Sequence, residues 1–369
     1  MQETLEQALA SLQLGQLALA ATRLRGLLRQ DPRNIFAWMA LGDTLERAGL
    51  RHDAIRARSQ ALRHGRAAGY FMNMATTPVP FQPVIQGVIG AVNQQLYEVV
   101  GKGLDQVHAR FGAPSMQRVT HAMNAFLGHV QEHPRSPHQA PKFLFFPGLP
   151  EGPYHDPALH PWSATLVEAF DAIHAEAMSV MRDNDALEDF LTFTPGQSKA
   201  GYLGGDGPRP AWDAFFFYRH GERYDANHAR CPRTSQLLES IELCEVHGQA
   251  PEICFSVLQP GTTIMPHHGV TNTRLVYHLP LVVPEQCALN VFGGGEHHWR
   301  EREPMMFDDT FMHEAWNRSA QTRIILLMDC WNPHLRPEER AAVKQMVELI
   351  SAYEDFSDQD FSRVALLLA

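Results

Sequence analysis

The chain's 369 residues, 44% hydrophobic and 20% charged, can bury a full core and leave room for two or three domains. A formal net charge of −10 argues against an extended nucleic-acid-binding surface, because phosphate backbones are held mainly by Lys and Arg. Charge is unevenly spread: residues 1–66 hold ten Arg against six acids, which suits an acidic partner or, more blandly, a solvated helix face.

The chain opens Met-Gln-Glu-Thr-Leu-Glu, with acids where a secretory signal needs positive charge and a long apolar run, so no export segment is expected. No stretch approaches the ~18 uninterrupted apolar residues of a membrane span, and no membrane partner is expected. Cys231, Cys244, Cys254, Cys287 and Cys330 are odd in number and lack Cys-x-x-Cys spacing. They are read as reduced structural thiols of a cytoplasmic protein.

Residues 1–68 repeat with a period of 34: Ala8 matches Gly42, Gly15 matches Gly49 and Ala20 matches Ala54, with Pro32, Trp38, Leu41 and Ala61 at further repeat positions. This register resembles the tetratricopeptide repeat, in which small residues let antiparallel helices approach. Leu24, Leu27, Leu28, Phe36 and Trp38 are assigned to the apolar face. Two units do not close a solenoid, so they should pack on the segment of chain that follows them and could offer a surface to a protein partner.

Residues 69–140 form a helical connector, with Val84, Ile85, Val88, Ile89, Val92 and Leu96 at helical spacing after a Pro-broken start, and helix again from Val119 to Val130. Phe143 to Phe146 is expected as a short apolar strand ended by Pro147 and Gly148, and residues 162–193 as helix. From Trp212 to Pro333 short apolar runs alternate with turns and no interleaved helix is expected, a pattern of sandwiches and barrels. Pro337 and Glu338 open a C-terminal helix to about residue 352, giving four segments: 1–68, 69–140, 141–340 and 341–369.

Among twenty His, position discriminates where number cannot. His267 lies just after an expected strand ending and His313 at an expected strand-to-strand junction, 46 residues apart, a separation that lets an early and a late strand of a double-stranded β-helix present both imidazoles to one metal. The usual iron site of such a barrel adds a carboxylate two residues after the first His, where this chain has Gly269.

The segment from Ser256 to Leu281, containing Pro266-His-His-Gly269, and the segment Phe307-Asp-Asp-Thr-Phe-Met-His-Glu-Ala-Trp316, followed by Arg323 and Asp329-Cys-Trp-Asn-Pro333, resemble the aspartyl/asparaginyl β-hydroxylase family. Pro147-Gly-Leu-Pro150, Trp162 and Cys231-Pro-Arg-Thr234 extend the likeness over roughly residues 142–340. The resemblance implies an α+β chain whose helical repeats precede a double-stranded β-helix, a jelly roll of the cupin type. It implies a dioxygenase that uses Fe(II) and 2-oxoglutarate to hydroxylate an aspartyl or asparaginyl residue in a peptide or protein, or an amino-acid-like small molecule.

Matching positions imply roles. His267 and His313 would ligate iron, with Gly in the place of the carboxylate. Ser256 and Arg323 would hold the distal carboxylate of 2-oxoglutarate, His278 would fix the carboxylate beside the metal, and Arg274 would meet substrate. Val276 stands where the animal enzymes carry a second substrate arginine, which puts a carboxylate-bearing substrate in doubt.

His268 competes with His267, but neighbours on a strand point to opposite faces. Asp308 and Asp309 read as turn formers before replacement ligands, and Gly293-Gly-Gly-Glu-His-His-Trp299 as a hairpin loop. Trp212 to Tyr218 and Arg219 to Arg223 are candidates for the substrate entrance. A catalytically silent barrel joined to an interaction module, and a zinc hydrolase, are the competing functions; two His make a poor catalytic zinc site.

Overall fold

A computed structural model describes residues 4–112, 116–183, 186–191, 201–207 and 209–368, which divide into two compact units, Met1–Gln106 with Met346–Ala369, and Val107–Gln345. In the first unit, α1 (Leu5–Gln13), α2 (Leu17–Gln30), α3 (Ile35–Arg47) and α4 (Arg51–Ala67) succeed one another through short turns. Thr4 and Gln7 form a reciprocal capping box on α1, and Asn34 caps α3 through Ala37 N–H. Gly15 and Gly49 take left-handed φ of 74° and 76° in equivalent turns. A Cβ on Gly42 would press 2.6 Å from Arg58 Cγ and 3.1 Å from the Ala54 carbonyl, so the α3–α4 approach depends on its absence.

Ala8, Leu24, Leu28, Trp38, Leu41 and Ala54 are buried together as the sequence predicts. Phe36 is not among them: it is 59% exposed, on the outer side of α3. A 3₁₀ turn (Val79–Phe81) leads into α5 (Gln82–Phe111), whose Ile85, Val88, Val92 and Leu96 face inward.

The second unit holds α6 (Gln117–Phe126), β1 (Tyr154–His155), α7 (Trp162–Glu168), α8 (Phe170–Val180), β2 (Glu188–Asp189), β3 (Leu203–Gly204), β4 (Trp212–Arg219), β5 (Glu222–Arg223), α9 (Asp225–Arg230) and α10 (Pro232–Glu239). Strands β6 (Ile253–Leu258), β7 (Thr262–His267), β8 (Arg274–Val282), β9 (Cys287–Val291), β10 (Gly295–His297), β11 (Met305–Phe307), β12 (His313–Asn317) and β13 (Arg323–Trp331) come next. They make two antiparallel sheets, one ordered β1-β11-β8-β13-β6-β4-β2 with β5 beside β4, the other β10-β9-β12-β7-β3.

Alternation along the strands of the larger sheet sorts its side chains into two layers. Phe215, Phe217, Phe255, Tyr277, Leu326 and Met328 pack with Leu166, Phe170 and Ile173 of α7 and α8. Their neighbours Phe216, Cys254, Val276, Ile325 and Leu327 pack instead with Ile264, Leu289 and Ala315 of the smaller sheet. Helices therefore cover one face of the larger sheet, and the interior between the sheets receives the opposite face.

Three expectations are corrected. Residues 143–146 are not a strand: Leu144 makes one isolated parallel bridge to Thr271, and the Asn272 side-chain amide satisfies both N–H and C=O of Phe146 in place of a strand partner. The helix over 162–193 breaks at Ala169 and ends at Val180, and Glu188–Asp189 pairs with β4; residues 184–185 and 192–193 lie outside the described residues. Two helices, α9 and α10, do interrupt the strands, the second opened by Pro232 in its first turn with Leu237 and Leu238 buried against the larger sheet.

The chain closes with α11 (Pro337–Glu354), starting at the expected Pro, and α12 (Asp358–Leu368), a further helix beyond the one expected in this tail. Within the first unit, Phe356 and Phe361 lie 5.5 and 5.9 Å from Trp38, centroid to centroid, so the tail completes the core of the helical repeats.

Candidate active site

The last residue of β7, His267, is the Cα partner of the first residue of β12, His313, and their ring centroids stand 4.1 Å apart. Each ring is held by its own strand: His267 Nδ1 bonds the Met265 carbonyl at 2.8 Å and His313 Nδ1 the Phe311 carbonyl at 2.9 Å. A carbonyl only accepts, so each Nδ1 carries the proton and each Nε2 keeps a lone pair. Burial lowers the pKa of His267, and burial followed by the nearby His267 lowers that of His313 to about 3, which keeps both rings neutral and fit to ligate. Among the described residues no third His, Cys, Asp or Glu joins them in a set that could hold a metal.

Both rings line a cavity of about 370 Å³ between the sheets. Its floor is β13, where Arg323, Ile325, Leu327 and Asp329 alternate inward, flanked by Arg274, Val276 and His278 of β8. Arg323 is 1% exposed, and its Nε and Nη1 have no hydrogen-bond partner among the described residues. Its guanidinium lies 5.0 Å from the Trp299 ring centroid, and burial lowers its pKa only to about 10, so the group stays charged at neutral pH. A buried cation with two unspent N–H groups in a cavity wall suits a guest carboxylate.

Two further groups point the same way. Ser256, opposite Ile325 on β6, accepts the Trp212 indole N–H at 2.9 Å, leaving its hydroxyl hydrogen free to donate. His278, opposite Leu327, accepts the Trp299 N–H at Nδ1 at 3.3 Å, so its proton sits on Nε2, which has no partner among the described residues. Burial first, and then Arg323, drive the His278 pKa well down, so the ring is a neutral donor. The structure thus brings His267, His313, Ser256, His278 and Arg323 to one cavity. Trp212 and Trp299 are positioning residues for Ser256 and His278. Sequence alone offers the first as an entrance residue only, and the second stands at the end of a glycine-rich loop with no local pattern to single it out.

At the far end of the floor, Arg274 donates to Asp329 at 2.9 Å and to the Gln249 carbonyl at 3.3 Å. Asp329 also accepts the Glu252 N–H. Burial and then Asp329 push the Glu252 carboxyl up to about 7, with His220 2.7 Å from it. The acidic pair divides. Asp308 behaves as the turn former, accepting from Thr310 and Gln139. Asp309 instead lines the cavity, and burial raises its carboxyl to about 8 against the pull of Arg274. The signal for it is Gly269, whose missing side chain admits the Asp309 carboxyl. His268 bonds the Thr310 carbonyl and is not part of the cavity lining.

Comparison with known proteins agrees with this geometry. The family model described as Aspartyl/Asparaginyl beta-hydroxylase matches residues 167–333. Aspartate beta-hydroxylase domain-containing protein 2 of Mus musculus is 30% identical over 256 residues, covering 68% of this chain and 70% of that protein. The Aspartyl/asparaginyl beta-hydroxylase of Homo sapiens is 34% identical over 133 residues, 36% of this chain and 17% of that one. An Ornithine lipid ester-linked acyl 2-hydroxylase of Rhizobium tropici is 30% identical over 197 residues, 53% of this chain and 66% of that one. With the match running through both His-bearing strands and covering more than two thirds of a relative, the chain belongs to the aspartyl/asparaginyl beta-hydroxylase family.

Proposed function

We propose that the chain is an Fe(II)- and 2-oxoglutarate-dependent dioxygenase that hydroxylates an aspartyl or asparaginyl residue of a peptide or protein, or a smaller amino-acid-like molecule. The observation that carries the reading is the pair of neutral imidazoles, His267 and His313, 4.1 Å apart at the cavity lined by Arg323, whose Nε and Nη1 have no hydrogen-bond partner among the described residues. His267 and His313 would hold the metal through Nε2. Arg323 and Ser256 would take the distal carboxylate of 2-oxoglutarate, and His278 Nε2–H the carboxylate beside the metal. When bound, iron and 2-oxoglutarate supply the oxidation of a C–H bond by O2. The protein's own share is positioning: Trp212 and Trp299 fix the two donors, while Ile325, Leu327 and Leu289 keep the cavity apolar between its charged ends.

The two-sheet unit fits a double-stranded β-helix of the jelly-roll type over residues 141–340, and the period of 34 in residues 1–68 fits tetratricopeptide-like hairpins able to receive a protein partner. Five free, buried thiols favour a reducing, cytoplasmic setting. The silent-barrel alternative leaves Arg323 buried without recompense, a cost that a carboxylate guest removes. Arg274 is already matched by Asp329, so substrates other than aspartyl peptides are to be tried beside them; the Rhizobium relative, named for an acyl lipid, supplies one such class.

The test loads Fe(II) and 2-oxoglutarate without oxygen, admits O2 and measures succinate. Wild type should turn over slowly without substrate, and a His267→Ala/His313→Ala double variant should not. Equal succinate from both removes the iron assignment.

A further inference from the structure

Residues 67–97 contain no Asp, Glu, Lys, Arg or His, in a chain in which 20% of residues are charged. At that frequency a run of this length would hold about six charges. Such a run normally lies inside; here Ile85, Val88, Val92 and Leu96 are buried, but much of the segment before them is not. Tyr70, Met72, Met74, Val79, Phe81 and Val84 are each between 43% and 75% exposed. Phe36, exposed on α3, lies 6.4 Å from Phe81, ring centroid to ring centroid, and extends the same face. Gln82 and Gln86 bond the Met74 carbonyl and sulfur, tying the loop to the first turns of α5, where Gly87 and Gly90 face open space.

Immediately before the run, Arg63 and Arg66 stand exposed on the last turns of α4, and the charges of Arg63 and Arg33 both act on His64 between them. Asp31 also acts on His64, and Arg63 and Arg66 both act on Glu354, whose pKa burial raises. No helix is long and apolar enough to cross a membrane among the described residues.

We propose that this face docks the chain on the surface of an anionic lipid membrane. The Phe, Tyr, Met and Val side chains enter the boundary between headgroups and acyl chains, and Arg33, Arg63 and Arg66 face the lipid phosphates. A bilayer asks for apolar depth beside a cationic rim and sets no hydrogen-bond register, which is what an uncharged face bordered by Arg supplies. The proposal rests on the first unit alone, does not depend on the oxygenase reading, and departs from the expectation of no membrane partner.

The test floats the full chain with vesicles of phosphatidylcholine alone or mixed with phosphatidylglycerol. Wild type should float with the anionic vesicles at least about tenfold more than with the neutral ones. Val79→Asp/Phe81→Asp and, separately, Arg63→Glu/Arg66→Glu should each lower that binding by at least about tenfold while the melting temperature holds, because the altered side chains are exposed. Wild type remaining unbound on anionic vesicles overturns the proposal, and so does flotation of both variants at the wild-type level. A concentration-dependent dimer that both variants dissociate also overturns it, by showing that a second copy covers the face.

Discussion

The carboxyl group of Asp309 stands where a side chain on residue 269 would have to go: a Cβ built on Gly269 falls 2.0 Å from Asp309 Cγ and Oδ2. The two residues are locked by backbone as well, with Gly269 N–H donating to the Asp309 carbonyl at 2.6 Å. Glycine at 269 is therefore a packing requirement of the Asp309 position, and a carboxylate cannot simply be restored there. Gly269→Ala should cost ~1 to 3 kcal/mol in urea denaturation, the usual penalty of overpacking. Adding Asp309→Gly should recover most of the loss. Equal stability of Gly269→Ala and wild type would show that the loop gives way and that the fit is loose.

Arg323 has opposite effects on folding and on binding. With its Nε and Nη1 lacking partners among the described residues, the guanidinium in the cavity wall is a folding cost that a guest carboxylate would offset. Arg323→Leu should raise the melting temperature of the protein without ligand and abolish its stabilisation by 2-oxoglutarate. Arg323→Ala should raise the 2-oxoglutarate requirement at least about tenfold, since breaking a buried ion pair on one side costs ~3 to 5 kcal/mol. Retained thermal stabilisation of Arg323→Leu by 2-oxoglutarate would place the cosubstrate elsewhere.

Glu252 makes the cavity end sensitive to pH. Burial and Asp329 raise its carboxyl from 4.5 to about 7, against the opposing pull of the His220 N–H, Arg219 and Arg274. The folded chain thus holds this proton more tightly than the unfolded chain, so the contribution is full below 4.5 and is lost as pH rises through about 7. Glu252→Gln, which keeps the acceptor for His220, should flatten the stability profile across that window. Relative to wild type it should gain on the order of 3 kcal/mol between pH 4 and pH 8. Parallel profiles for the two proteins would mean that Glu252 ionises freely in the folded state.

How much of the fold and of the cavity is legible in the chain depends on the range of the interactions. The turns at Gly15 and Gly49 are local, and their spacing of 34 exposes them directly. His267 and His313 are legible as a pair because each falls at an expected strand boundary, and the strand register then makes them Cα partners. Phe143 to Phe146 misleads because a strand needs a continuous partner, and here Phe143 and Leu144 share the Val270 carbonyl while Phe146 turns to the side chain of Asn272, well over a hundred residues on. Phe36 misleads because a helix pattern shows a stripe without showing which edge of it meets a neighbour. Asp308 and Asp309 cannot be separated in sequence, since only the tertiary placement of Gln139 and Gly269 gives one a turn and the other the cavity.

The C-terminal helix α12 closes the core of the repeats through both layers of its surface. Phe361 packs 5.9 Å from Trp38 and 5.0 Å from Phe356, ring centroid to ring centroid. Alongside, Asp360 accepts Arg56 at 2.7 Å, and Arg363 bonds Asp53 at 2.9 Å. Burial pushes the Asp360 carboxyl up, but the Arg56 bond and the Ser357 N–H outweigh it and hold the group at about 2, so the contact is ionic across the whole physiological range. Phe361→Ala should destabilise the helical unit by ~3 to 5 kcal/mol, the cost of emptying a buried aromatic site. Asp360→Asn should cost less, because the amide keeps an acceptor for Arg56 while losing the charge. Helix unfolding followed by circular dichroism in urea, with protease susceptibility of α1 to α4 as the second readout, ranks the two. If Phe361→Ala leaves both unchanged, the repeats hold together without their C-terminal helix, and α12 is an attachment to a core already complete.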